Sequence, residues 1–378
     1  MMKTKIIAMY LPQYHSIPEN DEFWGDGFTD WVTVKNAAPL KKWHEQPKVP
    51  FNLNYYDLSQ KDNVKWQARI AKENGVYGFG IYHYWFNKDK NILTKPAEII
   101  RDNDDIDINY FLAWDNASWK RSWSNIEGND WAPSVERGLK PSGPQVLIEY
   151  VLGNEEDWLI HYKYLKTHFV KDKYIKIDNK PVFIIWSYSS ELLNMCSYWN
   201  KLAINDGFDG IHFVFRYSET GKLIRKPKVP QNYTTFTYEP IYHGWSKLPY
   251  CNLVFNKIKK ICGYNKNKHL HVYDYDEIWK KILKDARTIY VDDKIIHGAF
   301  VNYDDTPRRG MRGKIVANGS PQKFYNYLNE LVRINEEQHK DFIFLTAWNE
   351  WGEGAYLEPD MNNGCAYLDA IKKIFKHE

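Results

Sequence analysis

Eight short apolar runs recur along the chain, at residues 5–11, 76–84, 108–114, 181–186, 210–216, 235–239, 298–303 and 342–348, and each ends in polar or aromatic residues. They are rich in β-branched and aromatic side chains and are bounded by turn formers, the pattern of buried strands. Between several of them the period changes to that of a helix. Residues 64–72 (VKWQARIAK) keep apolar positions at helical spacing and stop at Asn74 and Gly75, a C-terminal signal. Ser320 and Pro321 open another helix, in which Phe324, Leu328, Leu331 and Ile334 share one face. Eight buried strands alternating with helices predict a (β/α)8 TIM barrel with loop insertions on its C-terminal face. A ninth run, 146–150, falls in the insertion after the third strand. No repeat of 20–50 residues and no low-complexity linker divides the chain, so 1–378 reads as a single barrel domain.

A barrel of this kind carries its chemistry where strands end. Here the runs exit into Trp, Tyr, carboxylate, amide and His side chains. Trp 16, Tyr 28 and Phe 18 make up 16% of the chain, an excess that suits a cleft in which sugar C–H faces stack on rings and hydroxyls meet polar partners. The expected saccharide contacts are, in strand order, Tyr10, Gln13, His15 and Trp31; His83, Tyr84 and Trp85; Trp114, Asn116 and Trp119; Trp186; Arg216; Tyr238 and Glu239; Asp304 and Arg308; and Trp348, Asn349 and Trp351. For His15 and His83 a packed structural role is an equal alternative.

Other classes are poorly served. With 51 basic and 48 acidic side chains the net charge is +3, which argues against nucleic acid as a partner. The opening MMKTKIIAMY has no apolar stretch of signal-peptide length, and no uncharged apolar run of about 18 residues could span a membrane. Cys196, Cys251, Cys262 and Cys365 form no CxxC pair and no zinc spacing. The expectation is a cytoplasmic protein with reduced thiols, no metal and no cofactor, peripheral to the inner membrane face if its substrate is lipid-linked. The basic stretches 257–268 and 222–228 could rest on anionic headgroups or be plain surface loops.

Cleaving a glycosidic bond needs a group to protonate the leaving oxygen and a second to manage the developing oxocarbenium centre. Residues 345–360, LTAWNEWGEGAYLEPD, place Glu350 and Glu353 three apart after the last strand, flanked by Trp348 and Trp351. Both can enter one cleft if the backbone turns at Gly352 and Gly354, and would diverge if the strand continued.

Five stretches carry a resemblance: 10–30 (YLPQYHSIPENDEFWGDGFTD), 83–86 (HYWF), 114–123 (WDNASWKRSW), 304–310 (DDTPRRG) and 348–360 (WNEWGEGAYLEPD). The chain resembles the WbsX family of surface-polysaccharide biosynthesis proteins, whose domain is similar to glycoside hydrolase family 99. The resemblance implies a (β/α)8 barrel with retaining chemistry on oligosaccharide or polysaccharide. It further implies that Glu350 is a base acting on the substrate 2-hydroxyl, which attacks through an anhydro-sugar intermediate, and that Glu353 is the general acid. One departure stands out. Family sequences commonly read WANENW where this chain has Trp114, Asp115, Asn116, Ala117, Ser118 and Trp119.

The function expected is retaining cleavage or transfer of glycosidic bonds in a bacterial surface polysaccharide (O-antigen or capsule) or its precursor. A nucleotide-sugar-dependent glycosyltransferase and a non-catalytic sugar-binding barrel are the alternatives. The D-x-D spacings at 102–107 and 274–276 could hold a metal for the former, but no glycine-rich phosphate loop follows any strand. Arg308 and Arg309 could grip an anion bidentately, or simply pin their loop to nearby acids.

Overall fold

The computed structural model describes residues 4–120, 146–220, 226–247 and 270–375. Eight parallel strands close into a barrel: β1 Lys5–Tyr10, β2 Val76–Asn87, β3 Asn109–Trp114, β4 Lys180–Ile185, β5 His212–Arg216, β6 Thr234–Phe236, β7 Ile295–Phe300 and β8 Phe342–Thr346. Each strand pairs with the next in sequence, and β8 returns to β1 with Lys5 beside Phe342, so no edge is left open. Helices cross between the strands: α1 Lys61–Glu73, α2 Lys95–Asp102, α3 Glu155–Phe169, α4 Leu192–Asn205, α5 Tyr275–Thr288 and α6 Pro321–Glu337, with α7 Ala366–Phe375 after β8. Among the described residues no helix joins β5 to β6; a short hairpin, Glu219–Thr220 with Lys226–Pro227, lies there.

Local signals explain the elements. α1 ends where Asn74 caps it and Gly75 follows at φ 88°. Ser320 caps α6 by accepting from the Lys323 N–H at 3.3 Å, and Phe324, Leu328, Leu331 and Ile334 are buried as their spacing predicts. The run 146–150 contributes Val146–Ile148, which pairs antiparallel with Trp119–Lys120 inside the insertion after β3. The 298–303 run is displaced: β7 starts three residues earlier, at Ile295. Gly298 is not a boundary but the middle of the strand, where a Cβ would stand 1.9 Å from the Thr237 carbonyl oxygen.

The barrel interior is aromatic. Phe344 packs on Phe111 and Phe236 at ring distances of 5.3 and 5.4 Å, and Phe79 touches Tyr10 and Trp348. Trp114, Trp199, Trp279, Trp348 and Trp351 are all fully buried. Much of the aromatic excess therefore packs the protein, and only part of it lines a cleft. Of the cysteines, Cys196 is buried and Cys365 exposed; Cys251, Cys262, Trp123 and the stretch 257–268 lie outside the described residues, as does part of 222–228. No helix among the described residues is long and apolar enough to cross a membrane.

Candidate active site

After β8 the chain reverses. Asn349–Glu350 pairs antiparallel with Ala355–Tyr356 around a single 3-10 turn, Trp351–Glu353, and Gly354 closes it at φ 58°. The turn is anchored from behind. The Asn349 side chain clamps the end of β1, accepting from the Leu11 N–H at 2.7 Å and donating to the Leu11 carbonyl at 2.9 Å. Trp351 stacks on Tyr356 at 3.7 Å and donates its indole N–H to Glu358, which also accepts from Tyr56 and Gln67, each contact 2.7 Å. Burial pushes the Glu358 carboxyl up to about 7 in spite of these donors.

The reversal aims Glu350 and Glu353 into one cavity of about 440 Å3 at the C-terminal mouth of the barrel. Arg308, from the short helix Thr306–Arg309 after β7, joins them: its guanidinium lies 2.9 Å from Glu353 Oε1, 3.3 Å from Glu350 Oε2 and 3.0 Å from Asp30 Oδ2. Three carboxylates thus converge on one guanidinium. Gly352 makes this approach feasible, since a Cβ there would sit 2.6 Å from both Arg308 Nε and Asp30 Oδ2. Burial raises the pKa of both glutamates. For Glu350 the nearby Glu353 raises it further, and Arg308 opposes the rise in each. The two carboxyls cannot both ionise cheaply, so they titrate as a pair that retains a proton above the usual carboxylate range.

Of the residues expected from sequence, Gln13, Tyr84, Trp119, Trp186, Arg216, Tyr238 and Arg308 line this cavity with the two glutamates. The others do not. Along β2 side chains alternate faces, so Tyr82 and Tyr84 enter the cavity while His83 and Trp85 turn outward onto α3. There His83 bonds His161 at 2.9 Å, Trp85 stacks on the same imidazole at 4.2 Å, and Trp114 donates its indole N–H to the Trp85 carbonyl. Burial takes His83 down to about 3, so it is a neutral packing residue. Asn116 braces two loops through Ser187. Glu239 is buried against His243, and Asp304 accepts from His44 and Gln46 to hold the 40–47 loop. Tyr10 reaches Gln67, Trp31 bonds the Tyr56 carbonyl, and His15 and Trp348 are buried. Asn349 and Trp351 support the turn from behind.

Asp30, Tyr82, Asp115 and Asn20 are among the cavity residues not singled out as substrate contacts. Asp30 opens the helix Asp30–Lys35, which points Trp31 into the core and leaves the acid facing Arg308. Tyr82 was recoverable from the period-two rule. Asp115 and Asn20 follow from where the chain leaves β3 and β1, and only Asp115 carried a signal, as the departure from the family pattern. None of the D-x-D acids lines the cavity, and several are occupied elsewhere. Asp105 pairs with Lys61 and Lys65, Asp274 caps α5 and accepts from Asn318, and Asp276 accepts from Lys323 and Tyr327. Arg309 pairs with Asp305 at 3.0 Å.

The sequence profile described as Glycosyltransferase WbsX matches residues 6–371. An uncharacterized protein WxcX of Xanthomonas campestris pv. campestris strain B100 is 28% identical over 380 residues, covering 97% of this chain and 49% of that protein. The WxcX of strain ATCC 33913 matches to the same extent. The chain spans about half the length of these curated relatives. Among solved structures, the GH99 endo-alpha-mannosidase from Bacteroides thetaiotaomicron superposes with a TM-score of 0.52 at 13% identity, over 99% of this chain and 97% of that one. A glycoside hydrolase-like protein superposes at 0.55 with 11% identity, over 100% of this chain and 95% of its own. At such identities the likeness is one of fold, the (β/α)8 barrel.

Proposed function

The chain belongs to the WbsX glycosyltransferase family, and from that membership and the geometry of the cavity we propose that it is an enzyme that breaks or transfers glycosidic bonds in a bacterial surface polysaccharide or its precursor. The observation that carries this reading is the convergence of Glu350 and Glu353 on Arg308 within one cavity. Two buried carboxyls sharing a proton supply an acid and a base at neutral pH. Tyr82, Tyr84, Tyr238 and Trp186 give that pair an aromatic, hydroxyl-bearing wall suited to a sugar ring. Asp105, Asp274 and Asp276 accept from protein donors and none of the D-x-D acids lines the cavity, so the retaining route is favoured over a nucleotide-sugar one.

In that route Glu353 delivers its proton to the leaving oxygen as the glycosidic bond breaks. Glu350 takes the proton of the 2-hydroxyl, whose oxygen closes onto C1. Water or an acceptor hydroxyl, deprotonated by Glu353, then opens the anhydro ring, and Glu350 returns its proton. In the resting site Arg308 lies nearer Glu353 than Glu350, which favours the shared proton on Glu350. Substrate binding therefore has to move that proton to Glu353, by presenting the 2-hydroxyl to Glu350 and loosening Arg308.

The test is turnover on the polysaccharide of the producing strain, read as new reducing ends or as lengthened chains. Glu353→Gln is expected to abolish it and to regain activity on an aryl glycoside whose leaving group needs no proton. Full turnover by Glu353→Gln on the native polymer would overturn the assignment.

A further inference from the structure

The far wall of the cavity carries two ionisable side chains that the acid pair does not use. Arg216, at the end of β5, and Asp115, just after β3, both line it. Among the described residues neither side chain makes a hydrogen bond or an ion pair. A half-buried guanidinium without a close counter-ion is unusual, because removing charge from water costs free energy that a partner normally offsets. Arg216 does have a platform: its Cζ lies 5.2 Å from the Trp186 ring centroid. Stacking covers the face of the guanidinium and leaves its N–H edge for a planar oxyanion.

The charge balance of the wall points the same way. Arg308 is held by three carboxylates and Arg309 by Asp305. What remains is Arg216 and Lys120 against Asp115 alone. Asp115 is a weak counter-charge, since burial pushes its carboxyl up to about 6 against the pull of Arg216. The hydroxyls of Tyr82 and Tyr238, 3.1 Å apart, flank this wall; Trp186 packs on both rings, at 5.4 and 4.7 Å.

We propose that Arg216, stacked on Trp186, binds an acidic substituent, carboxylate or phosphate, on a saccharide unit adjoining the one held by the acid pair. This rests on the sugar-cleft reading above and narrows its substrate class to acidic glycans. An arginine that only donated to hydroxyls would treat neutral and acidic sugars alike.

The experiment is ligand-observed NMR titration of the full chain with D-glucose, D-glucuronate and D-glucose 6-phosphate, for the wild type, Arg216→Gln and Arg216→Lys. At least one acidic sugar is expected to bind about tenfold or more tightly than glucose, a difference that a charge-assisted bidentate contact readily supplies. Arg216→Gln should remove the preference by weakening the acidic sugar far more than glucose, and Arg216→Lys should keep part of it. A stronger glucuronate arm assigns a carboxylate, and a stronger phosphate arm assigns a phosphate. Equal affinity for all three sugars, or equal weakening of all three by Arg216→Gln, overturns the acidic substituent and leaves the sugar cleft intact. Binding of none of them overturns the proposal, and the Glu353→Gln turnover assay decides separately whether the cleft reading falls with it.

Discussion

At one end of the cavity the charged groups are locked together, and at the other they are left apart. Asp30, Glu350 and Glu353 all reach Arg308, and the turn that carries the glutamates is braced by Asn349, Trp351 and Glu358. Across the cavity, Arg216 and Asp115 have no hydrogen-bond or ion-pair partner among the described residues, and Arg216 rests on the Trp186 ring. The difference separates two demands. Groups that move protons must be held before the substrate arrives, because positional slack costs rate. Groups that recognise a substituent gain by staying unsatisfied, because the ligand then supplies the missing partner, and the protein accepts some instability for it.

The largest effect should come from the locked end. Glu350→Gln and Glu353→Gln should each lower turnover by at least about 10²- to 10⁴-fold on the native polymer without unfolding the barrel. A variant that unfolded instead would show the pair to be structural. Arg308→Met removes the common cation of three buried carboxylates and should cost about 3–5 kcal/mol in urea unfolding at neutral pH, with a smaller loss in acid as the carboxyls take up protons. An unchanged midpoint would mean that the three acids are not held by Arg308.

Glu358 gives a graded test of the bracing. Its folded pKa is raised from 4.5 to about 7, so its contribution to stability is fully present below about 4.5 and is lost as pH rises towards 7. Glu358→Gln should flatten stability against pH in that window by up to about 1.4 kcal/mol per unit. A variant curve parallel to that of the wild type would place the Glu358 proton elsewhere. The smallest effect belongs to the loose end. Asp115, raised from 3.8 to about 6, loses its contribution as pH rises through that interval, so Asp115→Asn should leave stability at pH 8 unchanged or improved by about 1 kcal/mol. A loss of similar size would reveal a partner for the carboxylate and erase the contrast between the ends.

The barrel was legible because seven of its eight strands start within two residues of where their apolar runs start. β7 slipped because Gly298 reads as a turn former in sequence, whereas its lack of a side chain serves close strand approach. The cavity was legible only by strand. Successive residues at a strand exit alternate faces, so His83, Tyr84 and Trp85 could not all share one cleft, and period two alone would have exchanged His83 for Tyr82. Asp30 could not be found this way, since its neighbour Trp31 carried the stronger signal and the short helix that separates them is fixed by packing on Trp351. Whether Glu350 and Glu353 face one way depended on a turn whose direction is set by long-range contacts to Leu11 and Tyr14, 335 or more residues away in sequence.

The shared proton is the centre of the account and can be followed without any substrate. Carbon-13 NMR titration of the glutamate side-chain carboxyls should show Glu350 titrating well above the ordinary glutamate range in the wild type and moving back towards it in Glu353→Gln. Two independent titrations near 4.5, unaffected by replacing the partner, would contradict it.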